Sequence, residues 1–244
     1  MSLARLTGEY NPVLTLRTMQ EYDYVLKTRA GQRHIRMQFS DSGRLIVSAP
    51  PGVSKQKIEA FISANGAWIE KTAATFKSHT YENGDTVPYL GRTCLLLVSK
   101  GPENNVRYLD GNLLVTTKRQ TGPEGIKKHL RAFYAKTILE QAAPLVTKWC
   151  RELKIKEPKL ETANSKTRWA VCIPAKNTVR FSIITATLEP DLIEMITVHE
   201  LCHMFHCNHG TQFHRLLESL VPDIKDKENR LRAVSKAGIS KNLF

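Results

Sequence analysis

Apolar and polar residues alternate from Tyr22 onward: Tyr24 and Leu26, then Ile35, Met37 and Phe39, then Leu45 and Val47 beyond Asp41-Ser42-Gly43. A period of two marks half-buried strands, so this stretch reads as an antiparallel meander with its turn at residues 41–43. Pro50-Pro51-Gly52 stops it, and Ser54 is placed to cap a helix carrying Ile58, Phe61, Ile62, Trp68 and Ile69 on its core face. Two further hairpins are predicted, one around Pro88-Tyr89-Leu90-Gly91 and one from Val106 to Thr117 that turns at Asp110-Gly111. Residues 1–20 show no period and read as a loose leader.

Helical spacing takes over near residue 120. Thr121-Gly122-Pro123-Glu124 opens a long helix with Ile126, Leu130, Phe133, Ile138, Leu139, Ala142 and Leu145 on one side. Lys159–Thr162, Arg168–Ile173 and Thr178–Ile184 read as strands. An apolar helix follows from Pro190 to about His206, then a short one over Thr211–Leu220 that Pro222 ends, and a charged one through Lys225 to Val234. The expected fold is α+β: a β-rich N-terminal domain with one helix over residues 21–120, and a second α+β domain over residues 121–244.

Chemistry concentrates in that second half. Five of the eight histidines lie between His199 and His214, and they begin with His199-Glu200-Leu201-Cys202-His203, an HExxH pattern. Residues four apart share one face of a helix, so His199 and His203 can aim ring nitrogens at one ion. Glu200 sits about 100° round, where a carboxylate reaches a metal-bound water without ligating the metal. His209 can return after the helix as a third ligand, leaving the fourth position open as in catalytic zinc sites. Cys202 and Cys207 flank these residues as alternative thiolate ligands, although Cys202 points elsewhere on a regular helix. His206 competes with His209 for the third position, but its place on the helix-ending turn favours a surface or supporting role. A purely structural zinc is the bland alternative, and Glu200 argues against it. His34, His79 and His129 are scattered singly and are assigned no role.

Composition limits the rest. The 244 residues are 41% hydrophobic and 24% charged, as in a globular protein, with no run long enough to span a bilayer and no signal pattern. Five cysteines at irregular spacing read as reduced thiols, so the expected location is cytoplasmic. The net charge is +13 and uneven: Lys148 to Arg180 holds nine basic and three acidic residues. Such a field attracts anionic partners, nucleic acid or nucleotide among them, or else only keeps the surface solvated.

The segment from Arg168 to Leu217 resembles the YgjP-like metallopeptidase family and, more distantly, the SprT and WLM proteases. Arg168-Trp169-Ala170-Val171-Cys172, the strand Val179-Arg180-Phe181-Ser182, Pro190, the histidine-glutamate helix and His209-Gly210-Thr211-Gln212-Phe213 carry the likeness. In the N-terminal half it extends through "YVLKTRAGQRHIRMQFSDSGRLIVSAP", "IEAFISANGAWIEK" and "VPYLGRTCLLLV". The chain departs from the family at Ala170-Val171, where Gly-Ser is usual, at Ser182 in place of Asn, and at His214 in place of an aromatic. The resemblance implies a zincin-like catalytic domain. His199, His203 and His209 would hold Zn²⁺, or another divalent metal, and Glu200 would act as general base on a peptide or protein substrate. Arg168, Arg180 or a strand amide is expected to stabilise the oxyanion, and His214 to orient a ligand or line the cleft. An extended peptide is expected to add beside Val179–Ile183. Two other readings use the same residues: a metal-dependent nucleoside triphosphate pyrophosphohydrolase, and a basic nucleic-acid-associated protein with a structural zinc.

Overall fold

The computed structural model describes residues 22–40, 44–75, 79–236 and 243–244. The expected leader and the turn at 41–43 lie outside the described residues. The chain divides into two compact units, residues 1–78 and 79–244. Among the described residues there are ten strands in three small sheets and six α-helices, a mixed α+β architecture.

In the first unit, β1 (Tyr24–Thr28), β2 (Arg36–Phe39) and β3 (Leu45–Ala49) form a sheet in the order β1-β3-β2. It is not a meander. β1 runs parallel to β3, with Tyr24 opposite Leu45, while β2 pairs antiparallel with β3. Leu45, Val47 and Ala49 point into the core, the alternation that a strand buried on one face produces. Two helices follow where the spacing suggested one: α1 (Lys55–Ala64), capped by the Ser54 side chain, and α2 (Gly66–Thr75), separated at Asn65. Trp68 is 42% exposed, so its assignment to the core face is corrected. Neighbouring helical residues point about 100° apart, and Ile69, only 1% exposed, takes the inward direction.

The second unit begins with the two expected hairpins: β4 (Thr86–Tyr89) with β5 (Arg92–Lys100), and β6 (Asn105–Leu109) with β7 (Asn112–Thr117). Their turns place Leu90-Gly91 and Asp110-Gly111 at positive φ, as two-residue hairpin loops require. The inner strands β5 and β7 join in parallel, giving the order β4-β5-β7-β6. Val87, Leu96, Leu113 and Val115 then pack in one core with Ile126, Leu130, Tyr134 and Ile138 of α3 (Pro123–Leu153). That shared core is why the compact unit starts at His79 and not near residue 120.

A third sheet, β8 (Lys159–Ala163), β9 (Ala170–Ile173) and β10 (Thr178–Ser182), has the order β8-β10-β9. It leads to α4 (Pro190–Cys202), α5 (Thr211–Leu220) and α6 (Ile224–Lys236). The Leu90-Gly91 turn fixes the entry to α4: their amides donate to the carbonyls of Ala186 and Thr187, each at 2.9 Å.

Candidate metal centre

Pro190 at the first helical position presets φ for α4, and Asp191 in the first turn favours the positive end of the helix. Leu192, Ile193, Met195, Ile196, Val198, Leu201 and Cys202 are all buried, which holds the helix in the core and fixes its rotation. His199 and Glu200 sit in its last turn. The helix ends sooner than expected, at Cys202, with His203 as its C-cap. Past it the chain turns, and the Nδ1 of His203 lies 2.9 Å from the carbonyl of His206. A carbonyl can only accept, so Nδ1 carries the proton and Nε2 is left free for a metal. The backbone of His206, and not its ring, therefore supports the site.

One nitrogen each from His199, His203 and His209 lies within 4.8 Å of the others, and the Nε2 atoms of His199 and His209 are 3.0 Å apart. In a tetrahedral zinc site with Zn–N of 2.0–2.1 Å, ligand nitrogens stand roughly 3.3 Å apart, a spacing the His199–His209 pair nearly matches and the whole triad approaches. Phe213 of α5, fully buried, forms the floor: its ring centroid is 5.0 Å from that of His199 and 4.7 Å from those of His203 and His209. Burial first, then the neighbouring imidazoles, pushes His199 down to about 4, keeping it neutral and ready to ligate. His209 is lowered for the same reasons.

Glu200 is 7% exposed, and burial raises its carboxyl to about 7. One interaction opposes that rise: the Cys172 amide donates to Oε2 at 2.6 Å. In the β9–β10 ladder Ser182 N–H donates to the Trp169 carbonyl, and Val171 faces Arg180 two residues on. Alternation then turns the amides of Ala170 and Cys172 away from β10, toward the helix. Cys172 is thus an outward-facing amide of an edge strand, and its contact with Glu200 was invisible in the sequence.

These groups open on a cleft of about 510 Å³ between β9, α4 and α6. Arg168 lies on its wall, but Arg180 does not: its guanidinium holds Glu161 on β8 at 2.7 Å. β10 is the central strand of its sheet, with both edges paired, so a peptide cannot add along Val179–Ile183; the open edge beside the histidines is β9. His214 is exposed with its ring 6.5 Å from that of His209, and it does not line the cleft. Cys202 is buried, and burial pushes its thiol up to about 11, which disfavours the thiolate a metal needs. Cys207 lines the cleft without joining the nitrogen triad. Met195, Ile196, Glu228 and Leu231 also line it, and no sequence pattern singled them out.

A family model described as YgjP-like, metallopeptidase domain, matches residues 33–234. No curated protein matches the chain. Among solved structures, the crystal structure of the metallopeptidase zymogen of Pyrococcus abyssi abylysin is similar over 38% of this chain and 92% of that one, at 23% identity and a TM-score of 0.35, a likeness too slight to bear on the fold.

Proposed function

The chain belongs to the YgjP-like metallopeptidase family, and from that membership we propose that it is a zinc-dependent peptidase with Glu200 as general base. The observation that carries this reading is the close approach of the His199, His203 and His209 nitrogens beside one buried carboxylate. A zinc ion held there supplies Lewis-acid activation, lowering the pKa of a water from 15.7 towards about 7. The protein's own groups do the rest. Glu200 takes the proton from the attacking water at a carboxylate oxygen and returns it to the leaving amine. Burial raises the Glu200 carboxyl, and a cation held by the histidines would pull it back down, so the group stays a carboxylate able to take the proton and give it up again.

An extended substrate would lie along the open edge of β9, bonding to outward groups of Ala170 and the Cys172 carbonyl. Its scissile carbonyl would then stand over the histidines, with Arg168 on the near wall. Phe213 closes the floor beneath the three rings. Part of the basic stretch is already neutralised, which weakens the phosphohydrolase reading. Lys148 is paired with Glu194, and Lys159 and Arg180 with Glu161. Among the described residues, Arg168 is the one lysine or arginine on the cleft wall.

The decisive experiment is zinc-loaded protein against unfolded protein and quenched peptides, with and without chelator. Chelator-sensitive cleavage supports the reading; zinc bound at one per chain with no cleavage of any peptide would overturn it.

A further inference from the structure

The cleft does not end at the histidines. Met195 and Ile196 lie about one turn before His199 on the same helix, roughly 4.5–6 Å along its axis. That is the reach of one to two residues of an extended peptide, at about 3.3 Å each. Leu231 of α6 lines the same cleft, and so does Glu228, one turn earlier on α6. The arm is therefore apolar with one carboxylate at its border.

Its shape is fixed by Arg230, which sits between those two residues. The guanidinium donates to Asp191 at 2.6 and 3.0 Å and also to Glu189, both at the start of α4. Planar, forked donation to two carboxylates locks α6 against α4 far better than a single point charge would. Among the described residues Glu228 is paired with the exposed Arg232, four residues on at 3.2 Å, and such surface pairs hold weakly. A cation from a substrate can displace that weakly held partner and take its place on the carboxylate.

We infer that this arm is a substrate side-chain subsite, in which Leu231 with Met195 and Ile196 selects a large apolar residue beside the cut bond, and Glu228 selects a lysine or arginine next to it. The preferred substrate class is thus an apolar–basic pair in an extended peptide. The inference rests on the peptidase reading, and its test separates the two.

The full chain, zinc-loaded, is profiled on quenched peptides varied at the two positions on each side of the cut bond. Wild type is expected to prefer Leu or Phe over Ala at one position by about tenfold, the discrimination an apolar pocket supplies. Lysine is expected to be favoured over glutamate at its neighbour. Leu231→Ala should move the apolar preference to larger side chains, and Leu231→Trp should move it to Ala. Glu228→Lys should reverse the lysine-over-glutamate preference and leave the apolar one unchanged; because Glu228 is at the border, it also serves as the variant least prone to misfold. A flat wild-type profile, or profiles unchanged in Glu228→Lys and Leu231→Ala, would overturn the inference while leaving the peptidase reading intact. Absence of cleavage by zinc-loaded wild type would defeat the peptidase reading, and this inference with it.

Discussion

The backbone amide of Cys172 holds Oε2 of Glu200 at 2.6 Å, so an edge strand and a helix residue 28 positions later share one hydrogen bond. The bond fixes one oxygen of the carboxylate in the cleft that the three imidazoles also line, and it tempers the rise that burial imposes on the group.

Glu200→Gln keeps the shape of the side chain and an acceptor for the Cys172 amide, but removes the group that accepts the proton. Turnover on a peptide should fall by about 100- to 10,000-fold, the range for loss of a general base. Zinc content, read by elemental analysis, should stay at one per chain. Retained turnover would exclude Glu200 as the base.

Ligand and neighbour should separate cleanly. His199→Ala, His203→Ala or His209→Ala should each abolish stoichiometric zinc and the rise in melting temperature that zinc gives to the folded state. His206→Ala should retain both, because the atom touching His203 is the backbone carbonyl, which the substitution leaves in place.

With metal removed by chelator, two groups oppose each other as pH changes. His199 is lowered from 6.5 to about 4, so its share of stability is present above pH 6.5 and is lost as pH falls through 4. Glu200 is raised from 4.5 to about 7, so its share is present below pH 4.5 and is lost as pH rises through 7. Each is worth on the order of 3 kcal/mol. Between pH 4.5 and 6.5 the wild type should therefore respond weakly to pH. Glu200→Gln should lose stability steadily on acidification, as measured by urea unfolding. Parallel curves for the two proteins would refute this balance.

Phe213→Ala removes a fully buried ring from beneath all three imidazoles. Urea unfolding should show a loss of about 3–5 kcal/mol. Zinc affinity should weaken as well, since the rings lose the surface that fixes their spacing. Isothermal titration of the folded variant reads that second effect apart from the first.

What could be read from the chain was local. The histidines fall within eleven residues of one another, from His199 to His209, so helical spacing brings two together and one turn delivers the third. Both hairpin turns were legible because Leu90-Gly91 and Asp110-Gly111 meet a local backbone demand. Long-range pairing was not. Alternation marks a strand without naming its partner, so the parallel β1–β3 and β5–β7 pairs and the central place of β10 were missed. The missed pairing of β10 misplaced the edge open to a substrate. Glu228 and Leu231 escaped notice because nothing in their own segment records that α6 returns to α4. Arg180 looked available for catalysis because its partner Glu161 sits on a different strand.

The Leu90-Gly91 turn leaves no room for growth: a Cβ built on Gly91 would stand 2.3 Å from Cγ of Glu189 and 3.1 Å from its Cα. A fragment begun at residue 121 would strip the Ala186 and Thr187 carbonyls of these donors and bare the apolar side of the long helix. The smallest excisable unit is therefore set at residue 79, and any chimaera that transplants the HExxH helix must carry this hairpin along as part of the same cassette.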